Sequence, residues 1–146
     1  AGRRVGGGPL EFFGELTAGL CEAVSLTVEL NTPGEDGQTR LDHLIQVENA
    51  TGQNHVPEID IPFAGIHLWE WFWMLSNSRG SSGFGGASPL SFSEIEAWAR
   101  VCRVEPHPWE IDVLKAMDAE YMKAQNDLSK QKSSKAKKGT QNKGKR

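Results

Sequence analysis

The chain has 146 residues, of which 38% are hydrophobic, and a net charge of −3. This length suits one small domain, and the apolar content supports a modest core that leaves part of the chain outside it. The charge is unevenly distributed, because residues 129–146 hold eight basic and no acidic residues, while residues 1–128 carry a net charge of −11. The apolar runs are far shorter than the roughly 20 residues that span a bilayer, so membrane insertion is not expected.

Two helices are predicted in the first fifty residues. Apolar side chains recur at helical spacing over residues 12–24, although Gly14 and Gly19 each cost about 1 kcal/mol relative to alanine there. Residues 26–30 alternate as a strand would, and continuation of the helix competes with that interpretation. A second helix of about three turns is expected over residues 40–50, with a glycine just beyond it in the left-handed conformation that ends helices.

Residues 66–78 are predicted to form a helix that is unusually rich in tryptophan. Aromatic residues at helical spacing are usually buried, so three of them are assigned to the core: Trp69, Phe72 and Trp73. Trp71 lies about 100° around the helix from Phe72. It is therefore the best candidate for an exposed anchor that contacts a partner.

Two connectors flank this helix. Residues 54–65 contain two prolines and should be irregular. Residues 79–88 form a loop with four glycines around Phe84, either a plain connection or a mobile contact loop in which Phe84 docks on a partner. The loop lacks the Lys-Ser/Thr ending of a phosphate-binding loop and follows a helix, so a phosphate-handling enzyme is a less favoured alternative.

The last two helices have the clearest local signals. Ser91 can cap a helix in which Glu94 reaches back to the Ser91 amide. The buried face of that helix is predicted to be Ile95, Trp98, Ala99 and Cys102. A final helix begins near Pro108, and its apolar pattern ends near residue 124. The lysine-rich segment beyond it lacks large apolar residues and should be disordered.

The sequence contains no residue set typical of a catalytic, metal or cofactor site. The four histidines lie at least twelve residues apart, and neither cysteine has a histidine three or four positions away. The acidic residues at the start of the last helix lack a second group that would complete an acid–base pair. An enzyme, a metal and a cofactor are therefore not expected. The absence of a C-x-x-C motif and of a recognisable secretory signal favours a reduced, cytosolic protein.

Several motifs occur together in an order that is typical of one family. They are Thr51-Gly52, Leu68-Trp69-x-Trp71-Phe72-x-x-Leu75-x-x-x-Arg79, Pro89-Leu90-Ser91-Phe92-x-Glu94-Ile95-x-Ala97-Trp98, Pro108-Trp109-Glu110 and Met117-Asp118-x-x-Tyr121. Through them, residues 41–124 resemble the tail assembly chaperones of long-tailed bacteriophages and prophages. These are small proteins encoded between the tail tube and the tape measure.

The resemblance implies a noncatalytic protein that binds the tape measure protein, keeps its long apolar helices soluble and delivers tail tube subunits. It also implies action in the cytoplasm of the bacterial host and absence from the mature virion. Surplus aromatic surface on an acidic body fits this role, because it can cover apolar helices while the complex stays soluble. Self-association into a homo-oligomer is a further option for this surface.

The sequence therefore predicts a mainly α-helical protein with a small domain of three to four helices. Residues 1–40 are expected to be a flexible, partly helical extension, residues 41–124 the chaperone-like domain and residues 125–146 a disordered basic tail. The predicted partner contacts are Trp71, Arg79 and Phe84. The alternative hypothesis is a nucleic-acid-associated accessory phage protein that acts through its tail. Nucleic acid is the less favoured partner, because no aromatic residue is interleaved with the lysines.

Overall fold

The computed structural model describes residues 8–81, 83 and 86–141, with side chains through residue 137. The helices are α1 (Pro9–Asn31), α2 (Arg40–Thr51), the 3₁₀ turn Phe63–Gly65, α3 (Ile66–Asn77), α4 (Phe92–Cys102) and α5 (Pro108–Gln141). Among these described residues there is no strand, only two isolated bridges. The predicted mainly α-helical fold is confirmed, with α1 in the predicted extension and four helices after it. None of the helices described is long and apolar enough to cross a membrane.

The apolar core lies between α1, α3 and α5, and residues at the start of α4 cover one side of it. Its buried side chains are Leu16, Leu20, Val24, Val28, Leu68, Phe72, Leu75, Leu90, Ile95, Val113, Leu114 and Met117. The two long helices run parallel. Phe13 packs on Trp109 near the start of each helix, and Lys132 on α5 bonds the Pro33 carbonyl just after α1 ends.

Two glycines allow α1 to pack closely against the 3₁₀ turn. A Cβ atom added at Gly19 would lie 2.8 Å from Cγ of Pro62, and one added at Gly65 would lie 2.9 Å from Cδ1 of both Leu16 and Leu20. These positions therefore cannot hold a larger residue without movement of the neighbouring side chains. The glycine that looks unfavourable for the helix at position 19 is required by the packing.

Local sequence signals place the other helices. The helical alternative for residues 26–30 is correct, since α1 continues to Asn31 and buries Val28 and Leu30. Ser91 and Glu94 form the predicted reciprocal cap of α4. Gly52 ends α2 with a φ of +70°, as expected of a left-handed terminus. α2 itself buries no residue and lies on the surface beside α1.

Two features differ from the sequence predictions. Cys102 is exposed, because α4 ends there, whereas Ile95 is buried and Trp98 is half-buried as the predicted face requires. The other cysteine, Cys21, is half-buried. Its burial and, to a smaller extent, the negative charge of the nearby Glu120 raise the pKa of its thiol.

The second difference from the sequence predictions concerns the end of the chain. α5 continues as a helix to Gln141, whereas the sequence predicts disorder from residue 125.

The composition of the segment explains why α5 continues. Residues 125–138 contain neither proline nor glycine and include five lysines, which favour helix even without a core to bury. The predicted flexible ends at residues 1–7 and 142–146 lie outside the described residues and stay predictions.

The close contact at Gly19 can be tested with a matched pair of variants. Gly19→Ala should lower Tm, because displacing the Pro62 ring costs about 1–3 kcal/mol and exceeds the gain in helix propensity. Gly14→Ala is the control, since no neighbour lies within 4 Å of its added Cβ, and it should raise Tm by about 2–4 °C. Thermal unfolding followed by circular dichroism measures both. Equal shifts in the same direction would show that the contact at Gly19 is not tight.

The cap of α4 predicts an acid-sensitive contribution to stability. Hydrogen bonds from the Ser91 amide and hydroxyl hold the pKa of Glu94 below its usual value. Because the folded-state pKa lies below the unfolded-state pKa, the contribution is complete above about pH 4.3 and is lost as pH falls through the folded-state pKa. Glu94→Gln keeps an acceptor but removes the charge, so it should cost about 0.5 kcal/mol at pH 7 and less at pH 3.

Urea unfolding at the two pH values measures this difference. Glu96→Gln on the same helix is the control, because its carboxylate accepts from the exposed side chain of Arg100, and it should cost less at pH 7. A cost for Glu94→Gln that is the same at pH 7 and pH 3 would contradict the proposed role of the charge.

Candidate partner-binding surface

A buried ion pair fixes the two ends of the connection between α3 and α4. Nη1 of Arg79 donates to Oδ1 of Asp118 at 2.6 Å, and both side chains are 4% exposed. The same nitrogen donates to the Ser88 carbonyl at 2.8 Å, and the guanidinium lies over the Tyr121 ring, 4.3 Å from its centroid. The second oxygen of Asp118 accepts from the Leu90 amide at 2.9 Å. The pair therefore ties both ends of the loop to α5.

Six rings make a continuous series of contacts that we call the aromatic strip. In order of contact the strip consists of Phe12, Phe13, Trp109, His67, Trp71 and Trp98, from four helices. Successive centroids are 4.9 to 6.5 Å apart, within the range of favourable ring pairs. Phe12 is 50% exposed and the other rings are half-buried. The strip thus reaches the surface along its length.

The middle of the strip is held by a carboxylate. Glu110, which is 5% exposed, lies with Oε2 2.6 Å from Nε2 of His67, and its other oxygen accepts from the His107 amide at 2.9 Å. These contacts fix Trp71 on α3 relative to Trp109 on α5. The described residues contain no group of three His, Cys, Asp or Glu that could hold a metal ion.

A second aromatic cluster lies on the other side of α3. Trp73 packs edge-on against Trp69 and Phe72, and Phe72 packs on Tyr121. The core assignment of these residues is correct for Phe72, which is fully buried, and partly correct for Trp69 and Trp73, which are half-buried. Through Tyr121 this cluster contacts the buried guanidinium of Arg79, and through Phe72 it is part of the core.

An open apolar cleft of about 380 Å³ lies beside the exposed end of the strip. It is lined by Phe12, Glu15, Leu16, Pro62, Phe63 and Ala64. Phe63 is 90% exposed, which is unusual for a phenylalanine. Phe63 is not among the partner contacts predicted from the sequence. The sequence does show an aromatic residue in a connector that contains prolines. Because the connector has no helical spacing of apolar residues, the sequence could not predict whether this ring is buried or exposed.

Residues 52–123 match the family model described as phage tail assembly chaperone. This segment belongs to that family. The resemblance predicted from the motifs is thereby confirmed. The search of curated proteins and that of solved structures found no match to the chain.

The chaperone segment contains the connector, the 3₁₀ turn, α3, α4 and the first part of α5. Arg79 and Asp118 both lie within it. α1 precedes the segment but supplies buried core residues such as Leu20 and Val24. In this chain, a helix outside the matched segment therefore completes the core around that segment.

The three predicted partner contacts differ in their surroundings. Trp71 lies half-buried in the middle of the strip, between His67 and Trp98. Arg79 is not on an open surface, because its side chain is buried against Asp118 and donates to the Ser88 carbonyl. A direct contact of Arg79 with a partner stays a prediction. Phe84 lies outside the described residues.

The buried pair makes a specific prediction for chaperone stability. Arg79→Ala should lower the free energy of unfolding by about 3 kcal/mol or more, because it leaves the Asp118 charge buried and unpaired. The control is Arg100→Ala, which removes an exposed pair with Glu96 and should cost less than about 1 kcal/mol. Urea unfolding measures both variants. An Arg79→Ala cost no larger than that of Arg100→Ala would refute this role.

Proposed function

We propose that this chain is a noncatalytic tail assembly chaperone that binds the tape measure protein through the aromatic strip. Membership of the family supports a role in phage tail assembly. The observation that carries the choice of surface is the packing of Trp71 between His67 and Trp98, half-buried and within a strip that reaches the surface. Tryptophan is enriched among the residues that dominate binding energy at protein interfaces.

The proposed clients are the tape measure protein and, in the same process, tail tube subunits. A strip of rings can cover the apolar face of a client helix, because aromatic side chains offer large contact areas at low entropic cost. The net charge of −11 on the first 128 residues would keep such a complex soluble. We propose that this binding takes place in the host cytoplasm and that the chaperone leaves before the virion is complete.

Co-expression with the tape measure protein of the same phage tests this proposal. Wild-type chain should keep the tape measure protein soluble and co-purify with it. Trp71→Ala should reduce the co-purified amount at least about tenfold, which corresponds to loss of one central anchor residue. Trp71→Phe keeps a ring in the strip and should give an intermediate amount.

Trp69→Ala is the matched control, because it removes a half-buried tryptophan from the other face of α3. Circular dichroism confirms that each variant is folded before the comparison. The proposal fails if the tape measure protein stays insoluble with the wild-type chain. It also fails if folded Trp71→Phe and Trp71→Ala co-purify as much as the wild type.

A further inference from the structure

The cleft beside Phe63 has walls that are fixed before any partner arrives. One wall is α1, with Phe12 and Leu16, and the other is the 3₁₀ turn that begins at Phe63. The two walls approach each other closely at Gly19 and Gly65, where an added Cβ would lie within 3 Å of the opposite wall. A preformed apolar cleft costs little conformational entropy on binding. The exposed rings of Phe12 and Phe63 could therefore bind a partner without a rearrangement of the cleft.

The surroundings of the cleft are acidic. Glu15 lines it and Glu11 lies one turn earlier on the same face of α1. Neither carboxylate has an ion-pair partner in the part of the chain that the structure describes. Two like charges at this spacing repel each other, so a cation brought by a partner would relieve the repulsion.

The segments that build the cleft contain almost no basic residues. Between positions 8 and 78 the sequence has eleven acidic residues, and Arg40 is its only lysine or arginine. Arg40 pairs with Glu29, which lies 14 residues along α1 from Glu15, a distance of about 21 Å. Within the part of the chain that the structure describes, the cleft therefore offers apolar surface beside two carboxylates that have no ion-pair partner.

We infer that this cleft receives an amphipathic helix whose apolar face is flanked by lysine or arginine. A helix is the fitting shape, because the described residues include no strand to which an extended peptide could add. The inference rests on the proposed function, since the helix is assigned to the tail protein that the chaperone binds. It adds the chemistry by which that client is recognised.

The chain's own basic tail does not fit the cleft. Residues 129–146 carry eight basic residues but no large apolar one, so they could match the charge and leave Phe63 uncovered. The start of the tail also lies beside the C-terminal end of α1, whereas the cleft lies near the N-terminal end of that helix. Lys132 bonds the Pro33 carbonyl, and Pro33 is 17 residues along the chain from Leu16, about 25 Å away along α1.

Two labelled synthetic peptides test the inference on the full chain. Both are 18-residue helices with the same leucine face and no tryptophan, and one has lysine and the other glutamate beside that face. Titration followed by fluorescence anisotropy should give a Kd for the lysine peptide about tenfold lower at low salt. The ratio should shrink in 0.5 M salt, where charges on the rim are screened.

Paired variants assign the effect to this cleft. Phe63→Ser should weaken both peptides about tenfold, whereas Phe92→Ser, which removes another exposed ring, should leave them unchanged. The double variant Glu11→Gln and Glu15→Gln should reduce the preference for lysine at least about threefold. Asp127→Asn should not reduce it, because Asp127 is 18 residues beyond Trp109 on α5, about 27 Å from the strip.

Several outcomes would overturn the inference. Equal affinity for the two peptides would contradict the selectivity for positive charge. Unchanged peptide binding by Phe63→Ser would show that the peptides do not bind in the cleft. Wild-type self-association that is abolished by Phe63→Ser would assign the cleft to a second copy. If the tape measure protein co-purifies but the peptides are not distinguished, the proposed function stands and this inference falls. If the lysine peptide is preferred but the tape measure protein does not co-purify, the cleft chemistry stands and the proposed client falls.

Discussion

The buried Arg79–Asp118 pair is the constraint on which the arrangement of α3, α4 and α5 depends. The guanidinium holds the Ser88 carbonyl and the carboxylate holds the Leu90 amide, so the pair fixes the chain where it enters α4. Leu90 lies immediately before the capping residue of α4, so its position sets where α4 packs. The aromatic strip therefore depends on two charges that lie outside it.

α1 has the complementary role of closing the core. Four of its apolar residues occupy the space beside α3 and α5, and its glycine at position 19 permits the close approach to Pro62. The same approach forms the cleft at Phe63, so core packing and exposed surface have one structural cause. A helix that precedes the family segment thus shapes the face through which this chaperone is proposed to act.

The sequence predicted those features that depend on neighbouring residues. The Ser91–Glu94 cap and the terminus at Gly52 are set within one helical turn, and both are found where expected. Contacts between distant residues were not predictable in this way. Arg79 and Asp118 are 39 positions apart, so no local pattern could show that they form a buried pair. The strip was only partly predictable, because helical spacing located Trp71 but could not show that Trp98, Trp109 and Phe13 would meet around it.

The two cysteines occupy contrasting environments. Cys21 is half-buried with a raised thiol pKa, which lowers the fraction of reactive thiolate, whereas Cys102 is exposed at the end of α4. Cys102 is also four residues after Trp98, and therefore on the same side of α4, one turn from the end of the strip. A maleimide dye can thus be attached at this natural thiol, beside the tryptophans and without any substitution in the chain.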